Sequence, residues 1–290
     1  MSKTASKMNS KSIEESELKA SDGFNMSYRC IFPQKAKAAM ILLHGMDIYS
    51  HMYVEAMIGL GKAGIICLAP DQRGRGKSTD EKWKSGEMPS ITRIVQDVKE
   101  LHRAYEHELN GLPLFFTGVC FGALISMLCM IEMPEKIRGI AIFGPPFGTK
   151  SGAIMKTLKI IGGAPLSPRT LRAWERLEKF GRDECQERIK EDAIFKNNPL
   201  RAAAAAQIIS ACDDIERMFA KMKVPLLIVY GREDKLVKRK QLDLIKSMWG
   251  SSDCSIVLLD NIGHDVLNEA KQARMKEFYF DWILERVKTL

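Results

Sequence analysis

Four short stretches of this 290-residue chain carry side chains able to make or break bonds, and each follows an apolar run. They are His44-Gly45-Met46-Asp47, Gly118-Val119-Cys120-Phe121-Gly122, Gly231-Arg232-Glu233-Asp234 and Asn261-Ile262-Gly263-His264. A thiol, an imidazole and a carboxylate are the parts of nucleophilic acyl transfer. Sulfur attacks a carbonyl carbon, histidine moves the proton, and the acid orients the histidine. Cys120 is the candidate nucleophile, with a glycine two residues before it and another two after. A strand that turns abruptly into a helix strains the residue at the bend and presses neighbouring backbone together, so those positions must be small. The same bend sets Cys120 at a helix N-terminus, whose partial positive charge stabilises an anion. Cysteine is also a common small buried hydrophobe, so GxCxG alone leaves a packing role open. His264, placed after the last apolar run, is the candidate base. Asp234, Glu233 and Asp265 are rival acids, and His44 reads as an organiser of its own loop.

These stretches need a scaffold that gathers them. The apolar runs Ala39–Leu43, Ile65–Ala69, Leu114–Thr117, Ile137–Phe143, Leu226–Tyr230 and Ser255–Leu259 are short and continuous, as strands covered on both faces must be. Helices are expected between them. Ser90 is an N-cap for Ile91, Ile94, Val95, Val98, Leu101 and Tyr105 at helical spacing, with His102 and His107 read as surface groups. Further helices are expected over Arg239–Trp249 and Glu269–Val287. Alternating strands and helices predict an α/β doubly wound, mostly parallel sheet, where reactive groups collect beyond the C-terminal strand ends. Phe24, Met26, Tyr28, Cys30 and Phe32 alternate after Asp22-Gly23 and predict a hairpin arm with one buried face. Residues 1–16 read as a disordered tail and 17–290 as one domain. Alternation fails between about 145 and 215, where Gly162-Gly163, Pro165, Pro168 and the Ala202–Ala206 run predict a helical lid insertion. Its Ile154, Leu158 and Ile161 suit either an acyl groove or packing on the core. Residues 145–200 hold eleven Lys or Arg against seven Asp or Glu, a solvated surface or a lipid-facing one.

From about Met40 to the C-terminus the chain resembles the α/β-hydrolase superfamily. Within it, the likeness is to monoacylglycerol-lipase-like esterases and lysophospholipases, the serine aminopeptidase S33-type hydrolases. The motifs are HGMD at 44–47, APDQRGRGKS at 69–78, the elbow at 118–122, VPLLIVYGREDKLV at 224–237 and GHDVLNE at 263–269. Their order, nucleophile then acid then histidine, is the superfamily's. Most members carry serine where this chain has Cys120; a cysteine elbow resembles dienelactone hydrolase, certain thioesterases and the polyester synthases. The resemblance implies the α/β-hydrolase fold with a lid and a triad of Cys120, Asp234 and His264. It also implies an oxyanion hole from the backbone N–H groups of Met46 and Phe121, set by the elbow glycines Gly118 and Gly122. The implied activity is hydrolysis of carboxylic acyl esters such as monoacylglycerol or lysophospholipid. The alternatives are an acyltransferase or thioesterase using Cys120, or a homologue that binds ligand without turnover.

Composition bounds the rest. The net charge is +8 and the pI about 9.0, but no interleaved basic and aromatic stripe of the kind nucleic acid requires is present. A nucleic-acid partner is not expected; a small-molecule or lipid ester is, with peripheral membrane contact open. The seven cysteines show no CxxC pair or regular spacing, so no disulfide framework or metal site is expected, and a cytoplasmic, reducing setting is. The first twenty residues have no apolar core for a secretory signal. RGRGKS at 73–78 lacks the full GxxxxGK[ST] pattern and reads as structural, and no cofactor fingerprint is found. Gly111–Ile131 is uncharged and long enough to span a bilayer, but Pro113, Gly118 and Gly122 divide it into a buried strand and a buried helix.

Overall fold

The computed structural model describes residues 12–46, 48–147, 202–270 and 272–288. Eight strands form one sheet: β1 (Glu14–Lys19), β2 (Asn25–Ile31), β3 (Ala38–Leu43), β4 (Ile65–Pro70), β5 (Leu114–Val119), β6 (Ile137–Phe143), β7 (Leu226–Gly231) and β8 (Cys254–Leu259). Their order across the sheet is β1-β2-β4-β3-β5-β6-β7-β8. The β1–β2 and β2–β4 pairs are antiparallel and the rest parallel. The six predicted apolar runs are the six strands β3 to β8.

Their uninterrupted apolarity follows from the two cores that the sheet separates. Side chains alternate between faces along a strand. Ile41, Leu43, Phe116, Ile140, Ile142 and Ile228 therefore belong to one core, and Met40, Leu42, Phe115, Ala141, Phe143 and Val229 to the other. The first core is covered by α2 (Ile91–Ala104), α3 (Phe121–Glu132), α4 (Ala202–Met218) and α5 (Arg239–Met248). The second is covered by α1 (Val54–Ala63) and the C-terminal helical segment ending in α6 (Asp281–Lys288). Ser90 caps α2 as expected, its hydroxyl accepting the Arg93 N–H at 3.2 Å. The uncharged Gly111–Ile131 stretch holds β5 and α3, and among the described residues no helix is long and apolar enough to cross a membrane.

Four readings change. The segment read as a tail to residue 16 already contains β1 from Glu14, paired with β2 in register Glu14↔Cys30 to Lys19↔Asn25. β1 is an edge strand whose Glu15 bonds Arg29 and Lys77, so its charges face water and it lacks an apolar signature. Residues 1–11 lie outside the described residues. His102 is buried rather than on the surface. The C-terminal helix does not begin at Glu269: a turn at Val266–Glu269 ends at Ala270 in extended backbone, and helix resumes at Gln272. A π-helical turn, Lys276–Phe280, then lets Tyr279 reach into the core, where its hydroxyl meets that of Thr117 and its ring stands edge-on to Phe143. The flanks of the expected lid, finally, are part of the body. Phe147 is buried edge-on to Phe219, and α4 packs on α3 through Ala204, Ala205, Cys212 and Ile215. Residues 148–201, with Ile154, Leu158 and Ile161, lie outside the described residues.

Candidate active site

Parallel register decides which strand ends become neighbours. Leu43 pairs with Gly118, Val119 with Phe143, and Gly231 with Leu259. The loops after β3, β5, β6, β7 and β8 therefore start side by side along one edge.

Cys120 is the single residue between β5 and α3, with φ 50° and ψ −113°. A left-handed φ in a non-glycine residue costs about 1–3 kcal/mol and persists only where the surroundings impose it. Here the Cys120 N–H donates to the Phe143 carbonyl at 2.9 Å, and the Cys120 carbonyl accepts the Ala123 N–H at 2.9 Å. Both elbow glycines are required by contact. A methyl at Gly118 would enter the Gly122 carbonyl, and one at Gly122 would enter the Leu43 carbonyl and come within 2.8 Å of the His44 oxygen. Among the described cysteines Cys120 alone is not buried. Burial pushes the Cys30 thiol up to about 12 and that of Cys254 up to about 11, away from the thiolate form.

The carboxylate and the imidazole arrive from the next loops. Asp234 is buried, its Oδ1 accepting the N–H groups of Leu236 at 2.8 Å and Val237 at 3.0 Å. The Tyr230 hydroxyl closes that loop by donating to the Val237 carbonyl at 2.8 Å. Asp234 Oδ2 is thereby aimed at His264 Nδ1, 2.9 Å away. The loop after β8 is pressed onto β7, since any side chain at Gly231 would strike the Ile262 and Gly263 carbonyls. Two further bonds hold it: Glu233 N–H to the Ile262 carbonyl at 2.9 Å and Gly263 N–H to Glu269 Oε2 at 2.7 Å. The imidazole lies close enough to Gly144 (φ 52°) that a methyl there would sit 2.8 Å from its Cε1.

This arrangement separates the three rival acids. Glu233 is exposed, and Asp265 is tied to Asn268 Nδ2 at 2.7 Å and to the Tyr53 hydroxyl at 3.4 Å. Asp234 alone of the three bonds His264. Burial by itself pulls the His264 pKa down. Negative charge at Cys120 opposes it first and the Asp234 hydrogen bond next, and together they hold the imidazole well above 6.5. Its Nε2 is buried, and a hydrogen bond with the Cys120 side chain also helps to hold the ring charged. With Nδ1–H directed at Asp234, Nε2 is the ring nitrogen left to face Cys120.

His44 has the expected organising role. Burial lowers its pKa to about 3, opposed by the Gly45 carbonyl. The neutral ring donates from Nδ1 to that carbonyl at 2.7 Å and accepts the Gln72 N–H on Nε2 at 2.9 Å. Gln72 Nε2 returns a bond to the His44 carbonyl at 2.8 Å. The RGRGKS loop is structural, as read, but its partner was not legible. Arg75 donates from Nε to the Met46 carbonyl and from Nη2 toward Met46 Sδ at 3.2 Å. Arg75 thus anchors the loop at Met46, at the peptide that follows the Met46 N–H. Phe121, the other predicted donor, opens α3, where no intrahelical acceptor exists for its N–H. Asp47 lies outside the described residues. Among the described residues no group of three or more His, Cys, Asp or Glu is arranged to hold a metal ion.

The family model "Serine aminopeptidase, S33" matches residues 34–271. The chain belongs to that family. The S33 chain is 23% identical over 259 residues to a monoacylglycerol lipase of Mycolicibacterium smegmatis, covering 87% of this chain and 89% of that protein. It is likewise 23% identical over 260 residues to human monoglyceride lipase, covering 87% and 84%. In three dimensions it is similar to a thermostable carboxyl esterase from Bacillus coagulans, with TM-score 0.82, 15% identity, and 95% and 99% of the two chains covered. That likeness establishes the α/β-hydrolase fold. In the S33 chain Cys120 stands at the elbow between β5 and α3.

Proposed function

We propose that this chain is a lipase-like carboxylic ester hydrolase in which Cys120, His264 and Asp234 act as nucleophile, base and orienting acid. The observation that carries the reading is His264 itself. Its Nδ1 is fixed on buried Asp234 at 2.9 Å, while its Nε2 is buried and Cys120 holds the ring charged by attraction and by a hydrogen bond. In the forward half, the Cys120 sulfur adds to the ester carbonyl carbon and its proton resides on His264 Nε2. Collapse of the tetrahedral adduct breaks the C–O bond, and His264 passes that proton to the departing alkoxide. A thioester remains. In the second half, His264 takes a proton from water, hydroxide oxygen adds to the thioester carbon, and the C–S bond breaks to release the acid. Asp234 holds the tautomer and stabilises the imidazolium at both stages. The N–H groups of Met46 and Phe121 receive the oxyanion, each contributing about 3 kcal/mol if typical of such donors.

The substrate class supported by the relatives' names is monoacylglycerol or a similar single-chain lipid ester. Pure protein and Cys120→Ala should be compared on acyl esters of graded chain length. Turnover by the first and not the second is expected; equal turnover in both refutes the assignment. The sulfur nucleophile also favours a second reading, transfer of the acyl group to a thiol or amine, because a thioester reacts faster with these than an oxygen ester does. Added acceptors that divert product from free acid to acyl adduct would select it.

A further inference from the structure

Directly after Asp234 the chain runs through Lys235, Lys238, Arg239 and Lys240 into α5, and all four cations are exposed. Between residues 235 and 246 there are five Lys or Arg and one acid, Asp243, which faces Arg239 at 3.5 Å. The inward face of α5 is Gln241, Leu242 and Ile245. Its outward face is unusual for a solvated helix. Lys240, Leu244 and Met248 follow at four-residue spacing and so form one stripe. Leu244, 42% exposed, and Met248, 37% exposed, are the large hydrophobic side chains that stand exposed among the described residues.

We propose that the outward face of α5, with the cations leading into it, docks on an anionic lipid surface. The inference rests on the lipid-ester reading above and adds where such a lipid aggregate would be met. An apolar stripe flanked by long cationic side chains suits an interface, because Leu244 and Met248 enter the acyl boundary while the lysine stems lie along it and their ammonium groups stay at headgroup level. Lys235, Lys238 and Arg239 lead from the N-terminal end of α5 to the Asp234 loop, so that end of the docked face lies toward the rim where Asp234 and His264 meet. Two apolar side chains are too few for the core of a stable protein interface. No aromatic residue lies on this face to stack a nucleic-acid base.

The test is cosedimentation of the full chain with vesicles of phosphatidylcholine, with and without phosphatidylserine. Wild type is compared with Lys238→Glu/Lys240→Glu and with Leu244→Gln/Met248→Gln, none of which touches the proposed triad. Binding of wild type to anionic vesicles is expected, weakening with salt and falling about tenfold or more in the charge-reversed variant. Loss in the second variant with thermal unfolding unchanged assigns the apolar pair. Wild type that ignores anionic vesicles, or binding that both variants retain, overturns the docking surface. Turnover of a short water-soluble ester, run in parallel, should be equal in all three proteins. Its absence in wild type would refute the ester chemistry, and the sedimentation result would still decide the surface.

Discussion

Gly122→Ala puts the geometry of the elbow to a quantitative test. A Cβ at this position would sit inside van der Waals range of three backbone atoms, the Leu43 carbonyl carbon and oxygen and the His44 oxygen at 2.8 Å, whereas real Cβ atoms keep beyond 3.0 Å. None of these atoms ends a flexible side chain. β3 is central, hydrogen-bonded on both sides to β4 and β5, so the accommodating element must be α3. A shift of about 1 Å of α3 relative to β3 moves Cys120 and the Phe121 N–H by a similar distance, and displacements of that size cost about 10²-fold in rate. Overpacking costs about 1–3 kcal/mol of stability, read as a fall of about 2–4 °C in Tm per kcal/mol for a domain of this size. Gly111→Ala is the control. Gly111 has φ 77° and no atom within 4 Å of a would-be Cβ, so it should lose about 1 kcal/mol from backbone strain alone and keep full activity. The assays are initial rates on a short-chain ester and thermal unfolding of both variants. Wild-type rate and Tm in Gly122→Ala would refute the claim that contact between β3 and α3 fixes the nucleophile.

Further outcomes are expected. Asp234→Asn keeps an acceptor for the Leu236 and Val237 N–H groups but turns an amide N–H toward His264, and turnover should fall about 10³- to 10⁴-fold. Asp265→Asn, whose carboxylate serves Asn268 and Tyr53, should change it by less than about tenfold in a kinetic comparison. In an NMR titration the imidazole signals of His264 should titrate at lower pH in Cys120→Ala than in wild type, since charge at Cys120 is the largest influence raising its pKa. The sign for stability follows. A raised histidine pKa contributes stability that is complete below 6.5 and lost as pH rises through the raised value, so urea midpoints should fall in that alkaline direction less in the variant than in wild type. The opposite charge holds at Asp22. The Arg73 guanidinium, bonding it at 2.7 Å, lowers its carboxyl from 3.8 to about 2. That contribution is present above 3.8 and lost as pH falls through about 2, so acid unfolding of Asp22→Asn, followed by circular dichroism, should show a shallower slope in this window.

What the sequence made legible divides along physical lines. Runs such as Leu114–Val119 are apolar at every position because both faces are covered, and that composition is local information. The bend at Cys120 is local too, since its glycines are dictated by the nearest backbone. β1 escaped notice because an edge strand facing water has no apolar face, and its existence depends on Arg29 and Lys77 from elsewhere in the chain. The family resemblance pointed to Asp234, but the side chains alone left Glu233, Asp234 and Asp265 open: all three lie in suitable loops, and the approach of the β7 and β8 loops at Gly231 decides which one meets Nδ1. Arg75 illustrates the same limit. Its motif announced a structural loop, but nothing within residues 73–78 indicates that its guanidinium holds Met46, whose position 29 residues earlier is brought near only by the sheet.

The central claim is that sulfur at the elbow becomes covalently acylated during turnover. Rapid acid quenching of the enzyme with a medium-chain ester, followed by peptide mass spectrometry, measures this directly. The predicted result is an acyl adduct on the peptide containing Cys120, labile to neutral hydroxylamine as a thioester is, and lost in Cys120→Ala together with turnover. Sustained turnover with Cys120 unmodified, or an adduct on another residue, would contradict the account.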